Sequence, residues 1–128
     1  MSLPIERLAI LVWAAEPENP QRCATPFHFA AAAAALDAEV EMYFTARSVR
    51  LLLPAVALGL YPAAGVDALP LTHFIEQAAE HGVRFFACPT ALAAHCEPGE
   101  ALRADVRHAG AASFTGRTLD PAWRSLSF

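Results

Sequence analysis

The run Leu8-Ala9-Ile10-Leu11-Val12-Trp13 constrains the fold more than any other feature of the chain. It has the length of a strand and no polar alternation, so neither of its faces can be given to water. Such a segment belongs in a sheet covered on both sides, which is how parallel strands are built into α/β domains. A strand is therefore expected over Arg7–Ala15. The same stretch is short for the apolar core of a signal peptide, and Glu6 stands where a basic residue would precede one.

The polar stretch Glu16–Arg22, with Pro17 and Pro20, is expected to be a loop at the carboxyl end of that strand. A helix ending near Leu36 follows, with Asn19-Pro20 and Thr25-Pro26 as alternative starts. Were it to begin at Pro20, Pro26 would kink it. Val40, Met42 and Phe44 alternate within a second strand, Glu39–Phe44, and a short helix is expected over Thr45–Leu53. Pro54–Pro70 is apolar and rich in Pro and Gly, a cover over a site or part of an oligomer interface. Leu71, Phe74, Ile75, Ala78 and Ala79 recur at helical spacing, so a helix is expected over Thr72–His81 with Thr72 as cap and Gly82 beyond its end. Val83–Ala87 reads as a third strand. A short helix from Ala91, a helical turn within Glu100–Arg107, a strand at Ala111–Phe114 and a last strand at Ser125–Phe128 complete the pattern. This order implies a mostly parallel sheet of about five strands with helices on both faces.

At 128 residues the chain is expected to be one domain, residues 1–128. Charged residues are 17% of it and hydrophobic ones 55%, leaving little charge to coat an isolated monomer, so a homo-oligomer is expected. The net charge of −4 and the lack of a basic run exclude a nucleic-acid footprint. Leu51–Val66 is uncharged, but Pro54, Gly59 and Pro62 break it, so no membrane span is expected and the cytoplasm is the expected location. The cysteines Cys23, Cys88 and Cys96 have neither the even number nor the spacing of a disulfide framework, and no zinc-finger spacing is present, so no metal is expected. Without GxGxxG or a P-loop, no nucleotide cofactor is expected either. No GxSxG elbow seats a nucleophilic serine.

Ligands of open α/β sheets bind beyond the carboxyl ends of the strands. Glu16–Arg22, Phe44–Arg47 and Cys88–Thr90 all fall there. Cys88 ends a strand and precedes a helix, where backbone amides and the helix dipole favour a thiolate. The same position also fits a small buried apolar cysteine. Cys23 lies near the first helix, as an accessory thiol or as a packing residue. His28, between Phe27 and Phe29, fits a structural role. His95-Cys96 offers ligand atoms without a recognised metal spacing. His73, His81, His108 and Arg47 read as surface residues.

Several segments in this order carry a resemblance that spans nearly the whole chain. They are Arg7–Val12, the proline-containing acidic loop, Phe27-His28-Phe29-Ala30, Met42-Tyr43-Phe44-Thr45, Gly82–Cys88, Ala109-Gly110-Ala111-Ala112 and Leu126-Ser127-Phe128. Together they are similar to the DsrE/DsrF-like family of small sulfur-handling proteins. The resemblance implies a three-layer α/β/α, Rossmann-like fold, often assembled as dimers, trimers or hexamers. It also implies a sulfur carrier or sulfurtransferase-type role, with other sulfur-relay proteins as donor and acceptor. In active members a cysteine at the strand end carries sulfur as a persulfide, and the matching residue here is Cys88. Some members have a second cysteine within a few residues, where this chain has Pro89, Thr90 and Ala91. Two rival readings remain: an inert oligomeric binding module on the same fold, and a thiol redox protein using Cys88 and Cys96. No substrate pocket is expected.

Overall fold

The computed structural model describes residues 4–128; Met1, Ser2 and Leu3 lie outside it. Five strands form one sheet: β1 (Arg7–Val12), β2 (Glu39–Phe44), β3 (Arg84–Ala87), β4 (Val106–His108) and β5 (Arg124–Ser127). Their order across the sheet is β4-β3-β2-β1-β5, and every pairing is parallel. The unbroken apolar run thus becomes a central strand, flanked by β2 and β5. The helices are α1 (Ala24–Ala35), α2 (Pro54–Ala57), α3 (Leu71–Glu80), α4 (Pro89–His95) and α5 (Ala111–Leu119).

Alternation along the strands divides the core in two. Ile10, Val12, Val40, Met42, Phe44, Phe85 and Ala87 face the larger cluster, which α1, α3, α4 and a 3-10 segment at Ala46–Leu52 cover. Ala9, Tyr43 and Trp123 face the other side, joined by Leu11, Phe86 and Phe114. Among the described residues α5 is the one helix on that second face, with Trp123 beside it, so the three-layer sandwich is lopsided. Phe27 of α1 fixes the thick layer, stacking on Phe44 with ring centroids 5.7 Å apart and meeting Phe85 edge-on at 6.2 Å.

The thin layer is held by charge as well as packing. Glu41 is buried in the middle of the sheet. Its carboxylate accepts hydrogen bonds from Tyr43 Oη at 2.8 Å and from Arg117 Nε at 2.8 Å, and it pairs with Arg84 at 3.3 Å. A buried carboxylate is tolerated only with such partners. Arg117 also lies over the Trp123 ring, 4.2 Å from its centroid. α5 is thereby tied to the sheet.

Four expectations need correction. Ala111–Phe114 is not a strand but the first turn of α5, consistent with the helix preference of its alanines. The fourth strand is Val106–His108, too short and too polar to show in the sequence pattern. Glu100–Arg107 forms no helical turn. Arg103 instead fixes that loop, donating its backbone amide to Leu52 O and pairing with Asp105 and Glu76. Thr72 does not cap α3, which starts at Leu71 after Pro70, and its hydroxyl is buried without a hydrogen-bond partner. The first helix resolves its two alternative starts as two pieces. A 3-10 turn at Pro20–Arg22 precedes α1, so Pro26 falls in the first helical turn, where it is tolerated.

Truncating the aromatic contact at the centre of the thick layer should be costly. Phe27→Ala is expected to lower the unfolding free energy by about 3–5 kcal/mol, measured by urea denaturation. A loss below about 1 kcal/mol would show that this packing does not hold α1 to the sheet.

Candidate functional site

The carboxyl ends of β2 and β3 bring Thr45 and Cys88 side by side. Phe44 pairs with Ala87 in register, and the Cys88 amide donates to Phe44 O at 2.9 Å. Ser48 secures the turn after β2, its hydroxyl donating to Val12 O at 2.8 Å and lying 2.6 Å from Thr45 O. Ala46 adopts a left-handed conformation, φ 52°, which turns the chain sharply beside Thr45.

Cys88 is the N-cap of α4 and is partly exposed. Its pKa is lowered from the ordinary thiol value of 9.0. The Ala91 amide is the main cause; partial burial opposes it, and the Thr90 amide and the hydroxyls of Thr45 and Thr90 assist. These donors satisfy an anion better than a neutral thiol, which is how protein sites generate nucleophilic cysteines. The N-cap of α5, Gly110, closes on the same atom. A methyl group there would lie 3.3 Å from Cys88 Sγ and 3.6 Å from its Cβ. Glycine thus permits a close approach of α5 to the thiol.

A cavity of about 330 Å³ adjoins this point. Leu11, Tyr43, Phe44, Thr45, Gly110, Ala111, Phe114 and Thr115 line it, between the ends of β1 and β2 and the start of α5. Thr45 and Gly110 belong to both the thiol's surroundings and the cavity wall. No such cavity was evident from the sequence, which does not reveal that α5 stands over these strand ends.

The other two cysteines sit in different surroundings. Cys23 is fully buried, and its thiol points at Glu16 O (3.3 Å) and Asn19 O (3.5 Å). Burial, with Glu16 and Glu18 nearby, pushes its pKa up to about 11. Cys96 ends α4, and burial raises its pKa as well. Cys88 and Cys96 stand at opposite ends of that helix, about 12 Å apart along its axis at 1.5 Å per residue, well beyond disulfide reach. Arg50 fixes the far end, donating to His95 O at 2.9 Å and to both carboxylate oxygens of Glu100.

The remaining candidates do not join the site. His28 meets Phe74 edge-on at 4.9 Å, and His73, His81 and His108 are exposed. Arg47 is paired with Glu18. No group of three potential metal ligands occurs among the described residues. Sequence reasoning found Cys88 and placed Thr45 and Thr90 in the strand-end segments Phe44–Arg47 and Cys88–Thr90, but missed Gly110. The available signals were the Cys88-Pro89-Thr90 capping arrangement and the Gly110 between alanines, once the latter is taken as a helix start.

A parallel α/β domain with a partly exposed cysteine at a strand end is the class that the fold defines. Residues 8–128 match the DsrE/DsrF-like family, and the chain belongs to it. Comparison with curated proteins returns no match. Among solved structures, the YchN protein from E. coli aligns with a TM-score of 0.75 at 15% identity, covering 97% of this chain and 100% of that one. MTH1491 from Methanobacterium thermoautotrophicum, described as a protein of unknown function, aligns with a TM-score of 0.65 at 16% identity, covering 96% and 99%. Both likenesses show the fold.

The three thiols should separate by pH. A lowered pKa means more thiolate at any pH below 9.0, so Cys88 is expected to reach half-maximal alkylation by iodoacetamide at a lower pH than Cys96, with Cys23 unreactive until the protein unfolds. Thr45→Val removes a donor to the thiolate and should move the Cys88 inflection upward. Peptide mapping across a pH series reads both effects, and equal inflections for Cys88 and Cys96 would refute the assignment.

Proposed function

We propose that the protein is a sulfur carrier of the sulfurtransferase type, holding sulfane sulfur as a persulfide on Cys88. The carrying observation is a partly exposed thiol whose pKa is lowered by amides and hydroxyls fixed on β2 and α4. A thiolate is the species that attacks sulfane sulfur, and the same donors stabilise the persulfide anion once it is loaded. Ala91, Thr90 and Thr45 position the charge; Cys88 makes the bond. Family membership supports the reading, and other sulfur-relay proteins are then its donor and acceptor partners.

Incubation with inorganic polysulfide should add the mass of one or more sulfur atoms to the Cys88 peptide. Cys88→Ser should abolish that loading, whereas Cys23→Ser and Cys96→Ser should retain most of it. Loading that survives Cys88→Ser would move the chemistry elsewhere. No loading of the unsubstituted protein would favour an inert binding module.

The carrier works as a homo-oligomer on this reading. Leu58, Tyr61, Val66 and Leu69 are exposed in one segment, and α5 leaves the second sheet face partly open. Such apolar surface is what a further copy covers. Light scattering at micromolar concentration should give a mass above that of the 13.7 kDa chain. A monomer alone would refute assembly without touching the chemistry at Cys88.

A further inference from the structure

We infer that the cavity beside Cys88 receives the apolar body of a small organic persulfide whose organic group carries no charge, and which loads the thiolate directly. This inference rests on the carrier reading above and names a substrate class for it.

The cavity's size, about 330 Å³, lies at the lower end of small-ligand sites, which run from roughly 300 to 1,000 Å³. Its wall carries no ionisable group except the Tyr43 phenol, whose hydroxyl is engaged by Glu41. Leu11, Phe44, Ala111 and Phe114 supply apolar surface, while the Thr45 and Thr115 hydroxyls are its small polar complement. A donor bearing carboxylates would leave them unpaired in that lining, a cost that an apolar donor avoids. Cys88 is not itself part of the wall, but Gly110 is, and a methyl group on it would lie 3.3 Å from Cys88 Sγ, so the sulfur end of a ligand seated there is placed on the Gly110 side in this proposal.

The transfer balances without an external oxidant. The Cys88 thiolate attacks the terminal sulfur of R–S–SH. A Cys88 Sγ–S bond forms as the R–S–S bond breaks, and its electron pair leaves on R–S⁻. The proton remains on the transferred sulfur. The sulfane sulfur keeps its oxidation level, and R–S⁻ takes a proton from solvent.

The experiment compares rates of Cys88 loading by benzyl persulfide, glutathione persulfide and inorganic polysulfide, followed by mass spectrometry. Benzyl persulfide should load about tenfold or more faster than glutathione persulfide, the scale of discrimination an apolar pocket gives. In Ala111→Phe, which fills the cavity, that ratio should fall to near one. Binding is read separately with unreactive benzyl methyl sulfide, which should shift the amide resonances of Gly110, Ala111 and Thr115 saturably, and not do so in Ala111→Phe. Loading by polysulfide with no preference between the two organic donors overturns the cavity proposal and leaves the carrier reading standing. Failure of polysulfide itself to load Cys88 overturns the carrier reading and the donor role with it.

Discussion

The parallel register between β2 and β3 is the constraint on which the rest depends. Phe44 lies opposite Ala87, and the Cys88 amide closes the ladder on Phe44 O. Each strand's next residue is then set free of the sheet at the same level. Thr45 and Cys88 therefore meet without being near in sequence. A slip of one residue would turn Val40, Met42 and Phe44 out of the thick layer and Glu41 into it, so the hydrophobic pattern that specifies the core also specifies the site. The aromatic contact among Phe27, Phe44 and Phe85 locks the same register from one side.

The three cysteines show how far environment, rather than residue type, decides reactivity. Cys23 lies in a dry pocket near two carboxylates, and both burial and charge oppose its ionisation. Cys96 is likewise disfavoured by burial, with the Arg50 charge opposing and the Glu100 charge reinforcing that effect. Cys88 alone has its pKa lowered, the Ala91 and Thr90 amides and the Thr45 and Thr90 hydroxyls outweighing burial. The Pro89 at the start of α4 contributes by fixing the chain's direction where its own missing amide is not needed.

Central strands and the placement of Cys88 at a strand end were legible in the sequence for one reason: both follow from local rules. Leu8–Trp13 is too apolar for an edge, Val40, Met42 and Phe44 alternate, and Cys88 sits between a strand and a Pro-Thr helix start. What was not legible depends on distant partners. Val106-Arg107-His108 becomes a strand only because β3 offers it an edge, and Ala111–Leu119 is a helix although its short apolar start was expected to be a strand. Thr45 and Gly110 gain their meaning from Cys88, which lies far from one in sequence and is separated from the other by α4 and β4. Glu41 carried a readable hint, since a carboxylate in a central strand demands partners, but the sequence does not say that Arg117 is the main one.

That partner has a consequence for the site. Among the described residues α5 is the one helix on the second sheet face, and it forms one wall of the cavity as well as the close approach at Gly110. Its position is set by the Glu41–Arg117 pair, by Arg117 over Trp123, and by Phe114 against Tyr43 at 5.6 Å. A layer built from one helix has little redundancy, so these contacts carry what several helices share on the opposite face. The buried carboxylate thus acts at a distance. It holds the helix whose first residues define the space next to the thiol, from a position several residues back along β2 from Thr45.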